Sequence, residues 1–293
     1  SVKCKYKSKK IILIKKKNVR TFVSEIASKF YKLKPKNIIA ITGTNGKTSV
    51  ADFFYQILNL NNIQVASIGT LGIKYNNKTI KTNLTSPDTI SLHKNLEELK
   101  KKKIDNVIIE ASSHGLDQNR LNHLKFKAGI FTNFSQDHLD YHKTMKAYLN
   151  AKLILFSKLL SKKSYIISDK LNKEYSILKN ISKKKNLKIK NISKTLNQIK
   201  NTPLPLIGFF QKKNLSMAVV AAQICGLKNN RISKIIKKIK NIDGRLELVK
   251  KFPNNIKVYV DYAHTPDALS EAIISIKETY GKNFSLVFGC GGE

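Results

Sequence analysis

The hexapeptide Gly43-Thr44-Asn45-Gly46-Lys47-Thr48 follows an apolar run at 38–42 and precedes an amphipathic stretch. A strand that passes through such a loop into a helix aims backbone N–H groups and the helix N-terminus at one point, an arrangement that holds phosphate. Gly43 and Gly46 permit close backbone approach and positive φ. Lys47 brings a positive charge to β- and γ-phosphates, and the Thr48 hydroxyl can ligate Mg²⁺. The spacing is compact, with Ile41 standing where the common P-loop has its first glycine. An ordinary glycine turn would explain the hexapeptide in isolation; its place between strand and helix selects the phosphate reading.

Other residues carry chemistry downstream. Glu110 closes the apolar run 106–110, at the sheet edge where ligands gather, within reach of a cation on Thr48. A solvated strand-end carboxylate is the alternative. The segment 132–142 holds Asp137, His138, Asp140 and His142. By itself it would suit zinc or a two-metal hydrolase, yet the spacing is not HExxH and no thiols accompany it. Thr85 and Ser86 precede Pro87-Asp88, where hydroxyls serve either as helix caps or as ligand contacts.

These residues need an α/β frame to position them. Apolar runs alternate with amphipathic stretches, which predicts a largely parallel sheet. Strands are expected at 38–42, 65–68, 106–110, 128–132 and 165–167, with helices at 47–59, from 88 to the lysines at 100–103, and at 145–160. Residues 170–203 look weakly specified. An apolar helix is expected at 214–225, ended by Gly226. Strands near 246–249 and 258–261, a helix at 266–280 and a strand at 285–288 would supply one further β-α-β unit, ending in the glycine-rich Gly289-Cys290-Gly291-Gly292.

The chain has 293 residues and a formal charge of +36, but only Arg20, Arg120, Arg231 and Arg245 among its 55 basic residues are arginine. Arginine is the better fork for bases and phosphates, so evenly spread lysine reads as compositional drift rather than a nucleic-acid surface. No apolar run is long enough for a membrane span. The three cysteines, Cys4, Cys225 and Cys290, form no CxxC pair, which fits reduced thiols and a cytoplasmic setting.

The motifs together resemble the Mur ligase family. The compact TGTNGKT loop is shared with folylpolyglutamate synthases, but Glu110-Ala111-Ser112-Ser113-His114-Gly115-Leu116-Asp117-Gln118-Asn119-Arg120 is similar to the family's E-x-S-S-H-G-L-x-Q-x-R segment. Residues 132–142 resemble T-N-x-x-x-D-H-L-D-Y-H, and 261–269, DYAHTPDAL, resemble the form carried by the branch that adds the third amino acid of the peptidoglycan peptide. The resemblance covers about residues 20–293. It implies a central ATP-binding domain of P-loop type at 37–242, followed by a truncated Rossmann-like C-terminal domain at 243–293. Residues 1–36 would be a remnant of an N-terminal uridine-binding domain, and a chain so shortened is expected to bind ATP weakly and ligate little.

The resemblance further implies an ADP-forming amide ligase using ATP and Mg²⁺. Its substrates would be UDP-N-acetylmuramoyl-L-alanyl-D-glutamate and a diamino acid, meso-diaminopimelate or L-lysine, joined by a monomer. Lys47, Glu110, His138 and Lys152 become the catalytic set, with Thr48, Glu110, His138 and a carbamylated Lys152 (N6-carboxylysine) around the metal. Gly43 to Ser49 would bind ATP, and Arg245 would reach its phosphates. Asn214 matches the second Asn of G-x-F-N-x-x-N, as a nucleotide contact or a helix cap, while Gln211 replaces the first. Thr85, Ser86, Ser112, Gln118 and Arg120 would contact the muramoyl substrate; Leu84 replaces the Asn of the family's N-T-T-P-D. His142 and Asp140 read as structural. The rival readings are folylpolyglutamate synthase, another Mur ligase, or a basic NTPase stimulated by nucleic acid.

Overall fold

The computed structural model describes residues 14–289. Residues 1–13 and 290–293, and with them Cys4, Cys290 and most of the terminal glycine motif, lie outside the described residues.

In chain order the elements are α1 (Val19–Phe30), β1 (Asn37–Thr42), α2 (Lys47–Asn59), β2 (Val65–Gly69), β3 (Gly72–Tyr75), β4 (Lys78–Ile80) and α3 (Thr89–Lys101). Then come β5 (Asn106–Glu110), α4 (Ser113–Asp117), β6 (Phe126–Phe131), α5 (Leu139–His142), α6 (Met145–Ile154), a π-turn at Leu155–Leu159, and β7 (Leu160–Ser168). The rest is α7 (Tyr175–Lys185), β8 (Lys188–Asn191), α8 (Ser193–Lys200), α9 (Phe209–Ile224), α10 (Asn229–Ile235), β9 (Glu247–Lys251), β10 (Lys257–Val260) and α11 (Pro266–Tyr280).

One sheet runs in the order β4-β3-β2-β5-β1-β6-β7-β8. The strands from β2 to β8 in that order pair in parallel, and β3 and β4 add an antiparallel edge. Every residue of β1 is buried, as expected of a strand covered on both faces. One core packs α2, α9 and α10 on one face; the other gathers α3, the π-turn and α7 on the opposite face. The chain leaves β1 toward β2 and β5 on one side and later passes to β6 on the other. That reversal opens the crevice at the carboxyl end of β1 where ligands of such sheets bind.

Several expectations are corrected. The helix expected at 145–160 stops at Ile154, because Leu155 and Phe156 turn inward against Gly129 before β7 begins at Leu160. Residues 170–203 are not weakly specified: they form α7, β8 and α8, with Leu178, Ile192, Leu196 and Ile199 buried among polar neighbours. The hairpin β3–β4 was not expected. It turns on Asn76 (φ 48°) and Asn77 (φ 59°), the two positive-φ positions of a type I′ turn. The further β-α-β unit does not form. β9 and β10 pair antiparallel, and residues 285–288 find no ladder among the described residues, with Val287 96% and Phe288 69% exposed. An apolar run becomes a strand only where a neighbour accepts its backbone.

His93 on α3 is fully buried beneath α1, its Nε2 3.3 Å from Asn122 O and its Nδ1 without a partner. Burial, helped by Lys34, lowers its pKa to about 4. The unfolded chain therefore takes a proton that the folded chain refuses as pH falls below 6.5. Stability should be flat above that value and fall by about 2 kcal/mol between pH 7 and pH 5 from this residue alone. In His93→Gln, which keeps an amide donor for Asn122, the drop in thermal midpoint over that interval should shrink. An unchanged drop would exclude His93 as its source.

Candidate active site

The loop after β1 depends on its two glycines. Gly43 (φ 145°) and Gly46 (φ 85°) occupy backbone angles that favour glycine. A Cβ on Gly43 would overlap Thr132 Oγ1, and one on Gly46 would stand 2.6 Å from Asn214 Oδ1. The segment after β6 clasps the loop. Asn133 O accepts from Thr44 N at 3.0 Å, Asn133 Oδ1 from Asn45 N at 2.9 Å, and Thr132 Oγ1 donates to Asn45 O at 2.7 Å.

Two lysines converge on the carbonyls of this loop. Lys47 Nζ donates to Gly43 O at 3.0 Å and Thr44 O at 2.7 Å, and Lys152 Nζ donates to Gly43 O at 2.7 Å. Lys152 is 1% exposed and lies 4.1 Å over the Tyr148 ring. Neither partner is an anion. Burial draws the Lys152 amine well below the ordinary lysine range; Lys47 pushes the same way and Asp137 opposes. Burial also lowers Lys47, against the pull of Glu110 and Asp137.

Glu110 is 1% exposed, which removes the solvated strand-end alternative. Its carboxylate accepts from Thr48 Oγ1 at 3.1 Å, Thr70 N at 3.0 Å and Thr70 Oγ1 at 3.2 Å. Burial raises its pKa, and Lys47 is the largest opposing influence. Gly69 at the end of β2 makes the room, since a Cβ there would overlap the carboxyl group. Arg245 reaches in from beyond the sheet domain, Nη2 3.5 Å from Thr48 Oγ1, with its guanidinium 4.7 Å over the Tyr262 ring.

A polar shelf adjoins this centre. Ser86 Oγ donates to Glu110 O at 2.7 Å, accepts from Ser112 N at 2.9 Å and lies 3.0 Å from Ser112 Oγ. Arg120 donates from Nη1 to Ser86 O at 2.7 Å and from Nη2 to Gln118 Oε1 at 2.6 Å. Thr85 Oγ1 lies 3.2 Å from Thr70 Oγ1. Neither Thr85 nor Ser86 caps α3: Asp88 does, accepting from Ile90 N and Ser91 N. Asn214 is not a cap either, because α9 begins at Phe209 after Gly208. It is buried in the second turn beside Gly46, bonded to Gln211. Ser49 is buried in the first turn of α2.

His138 (φ 51°) sits with a stack of rings: its ring centroid is 5.0 Å from His114 and 5.9 Å from Tyr148, and His142 lies 5.1 Å from Tyr148. Asp137 Oδ2 is 3.4 Å from His138 Nε2 and 3.9 Å from His264 Nε2. The structure thus joins Thr48 directly to Glu110 and Lys47 to Lys152 through Gly43 O; His138 meets the Tyr148 ring, which Lys152 Nζ overlies. Sequence reasoning missed Thr70 and Tyr148. Tyr148 stands four residues before Lys152 on one helical face, a signal that was available; Thr70 gave none.

The donor set fits a hard cation in part. The Thr48 hydroxyl and the Glu110 carboxylate are oxygen ligands of the right kind. Among the described residues no three His, Cys, Asp or Glu side chains form a metal cage. Mg²⁺ is commonly held by one or two carboxylates plus substrate phosphates, so that finding is compatible. Lys152 as an amine is no ligand; as a carbamate it would be.

Residues 41–222 match the Mur ligase middle domain, and residues 244–293 the Mur ligase glutamate ligase domain. The UDP-N-acetylmuramoyl-L-alanyl-D-glutamate--2,6-diaminopimelate ligase of Rickettsia bellii (strain RML369-C) is 36% identical across 97% of this chain and 64% of that protein. The ligase of the same name from Rhizobium meliloti (strain 1021) is 35% identical across 94% of the chain and 61% of the relative. This chain therefore spans a little under two thirds of these relatives' length. A solved structure of such a ligase superposes with a TM-score of 0.72 at 26% identity, covering 89% of this chain and 58% of the other. Mycobacterium tuberculosis folylpolyglutamate synthase, solved with ADP and AMPPCP, shares the fold at a TM-score of 0.69 and 16% identity, covering 91% of this chain and 71% of its own. No helix among the described residues is long and apolar enough to cross a membrane.

Proposed function

We propose, since the chain belongs to the Mur ligase family, that it serves ATP-dependent amide formation. The reaction would add 2,6-diaminopimelate to UDP-N-acetylmuramoyl-L-alanyl-D-glutamate, as the names of its relatives describe for them. One observation carries the reading: the phosphate loop, the buried Glu110–Thr48 pair and the Ser86–Ser112–Arg120 shelf share a single sheet edge. A nucleotide on the loop and a carboxylate held by the shelf would meet there.

The carboxylate attacks the γ-phosphate to give an acyl phosphate and ADP; the amine then attacks and phosphate leaves. Both reactants are anions, so bringing them together demands positive charge and fixed N–H donors. Lys47 and Arg245 supply charge at the loop, and Arg120 supplies it on the shelf. Mg²⁺, when bound, would neutralise phosphate charge beside Thr48, Glu110, His138 and carbamylated Lys152. Carbamylation needs a neutral amine, and burial of Lys152 favours one.

The proposed division is 1–36, 37–242 and 243–293. What supports the second boundary is that, apart from the turn bond of Arg245 N to Ile242 O, the backbone past Ile242 bonds to the later segment, Leu246 N to Asp261 Oδ2 and Tyr262 N to Gly244 O. The described part of 1–36 includes α1, which packs on α3 and donates from Ser24 Oγ to Asn122 O in the loop before β6.

The test is phosphate release from ATP with the purified chain. The reading expects dependence on UDP-N-acetylmuramoyl-L-alanyl-D-glutamate together with diaminopimelate, with the amide product seen by mass spectrometry. Release stimulated by polynucleotide and indifferent to the nucleotide sugar would overturn it in favour of a nucleic-acid-dependent NTPase.

A further inference from the structure

Thr48, Asp52 and Gln56 recur every fourth residue of α2 and so form one stripe along the helix. Thr48, at the phosphate end, meets Arg245. Gln56, two turns away, grips the backbone of Lys240 at two points: Nε2 donates to Lys240 O at 3.2 Å, and Oε1 accepts from Lys240 N at 2.8 Å. Asp52 lies between them. Its Oδ2 accepts from Gln56 Nε2 at 2.6 Å, and its Oδ1 pairs with Lys74 Nζ at 2.7 Å, anchoring the stripe to β3.

The segment from Lys240 to Arg245 therefore runs antiparallel to α2, over the roughly 12 Å that eight helical residues span. Ile239 and Ile242 are buried beneath it, 0% and 2% exposed. Past Ile242 the restraints change. Gly244 (φ 65°) and Leu246 (φ 46°) take left-handed angles, and a Cβ on Gly244 would meet nothing within 4 Å. The connection is thus held on α2 at 239–242, and the turn at 243–246 is held by Arg245 N on Ile242 O and Leu246 N on Asp261 Oδ2.

We propose that Gln56 is a positioning residue that sets the register of this connection along α2, and so decides where the Arg245 guanidinium stands at the phosphate loop. The amide reads both the N–H and the C=O of one residue, a contact that a slip of one residue would break. Asp52 fixes which way the amide faces. Gln56 itself lies near the far end of α2 and touches no part of the phosphate loop. The proposal rests on the reading that Arg245 serves the nucleotide phosphates.

The experiment is a double-mutant cycle on the full chain, measuring by calorimetry the ratio of affinities for β,γ-methylene-ATP and ADP with Mg²⁺. Arg245→Ala should lower that ratio about tenfold, the worth of a charge-assisted hydrogen bond. Gln56→Leu should lower it by a similar factor in the native background and leave it unchanged in the Arg245→Ala background. Gln56→Asn, one methylene short of Lys240, should behave as Gln56→Leu while keeping the far-ultraviolet circular dichroism of the native chain, so the result does not depend on the leucine variant folding. An effect of either Gln56 variant that persists without Arg245, or no effect in the native background, overturns the proposal. No effect of Arg245→Ala itself overturns the underlying role of Arg245 and the proposal with it.

Discussion

Lys152→Ala is expected to lower ATP-dependent ligation at least about a hundredfold, the scale on which removal of one preorganised electrostatic group acts. Lys152 is buried, its amine meets the Gly43 carbonyl and the Tyr148 ring among the described residues, and burial favours the neutral amine. A buried lysine without an anion costs folding free energy, so its presence beside a phosphate loop asks for a reason. Carbamylation supplies one by turning the nitrogen into a carboxylate-like group. Two readouts separate this from a packing role. Acid treatment that strips CO₂ should inactivate the native chain, with bicarbonate restoring it, and the alanine variant should not respond to bicarbonate. With ¹³C-bicarbonate, a carbamate carbonyl resonance should appear in the native chain and vanish in the variant. Full activity in Lys152→Ala would sink the assignment.

Gly43→Ala is expected to damage both fold and nucleotide binding. The new methyl would overlap Thr132 Oγ1 and crowd the Asn133 backbone, at φ 145° where an L side chain is strained. Overpacking costs about 1–3 kcal/mol and unfavourable backbone angles about 1–3 kcal/mol more. Those terms would lower the thermal midpoint by several degrees. Affinity for β,γ-methylene-ATP should fall at least about tenfold, because Thr44 and Asn45 are held through the same Thr132–Asn133 clasp. Adding Thr132→Ala relieves the overlap but not the backbone angle, and it removes the bond to Asn45 O. The double variant should therefore regain part of the stability and little of the affinity. If Gly43→Ala matches the native chain in both measurements, the loop is not the rigid phosphate cradle described above.

The legible parts of the fold were those with strong local signals. β1, α2, β2, α3, β5 and α11 fall within about a residue of expectation, because their apolar periodicities and Asp88, Pro266 and the loop glycines mark their ends locally. α7, β8 and α8 were illegible because lysine and asparagine mask sparse apolar positions that only packing against β7 and α9 makes decisive. The π-turn after α6 belongs to the same class: nothing local stops that helix, and the turn exists because Leu155 and Phe156 face a glycine on the neighbouring strand.

The site divides in the same way. The sequence by itself determined which groups were available: a phosphate loop, a strand-end carboxylate, a histidine-rich turn and a lysine on a helix. Residue type and spacing suffice for that, since strand, loop and helix lie adjacent in the chain. Only the tertiary structure decided how they combine. It buried Glu110 against Thr70, placed Lys152 on the Gly43 carbonyl, turned Asn214 from a possible cap toward Gly46, laid Lys240 along α2 and brought Arg245 to Thr48. Those contacts join residues tens to nearly two hundred positions apart, and parallel strand order, set by burial of both sheet faces, brings Gly43, Thr70 and Glu110 to one edge.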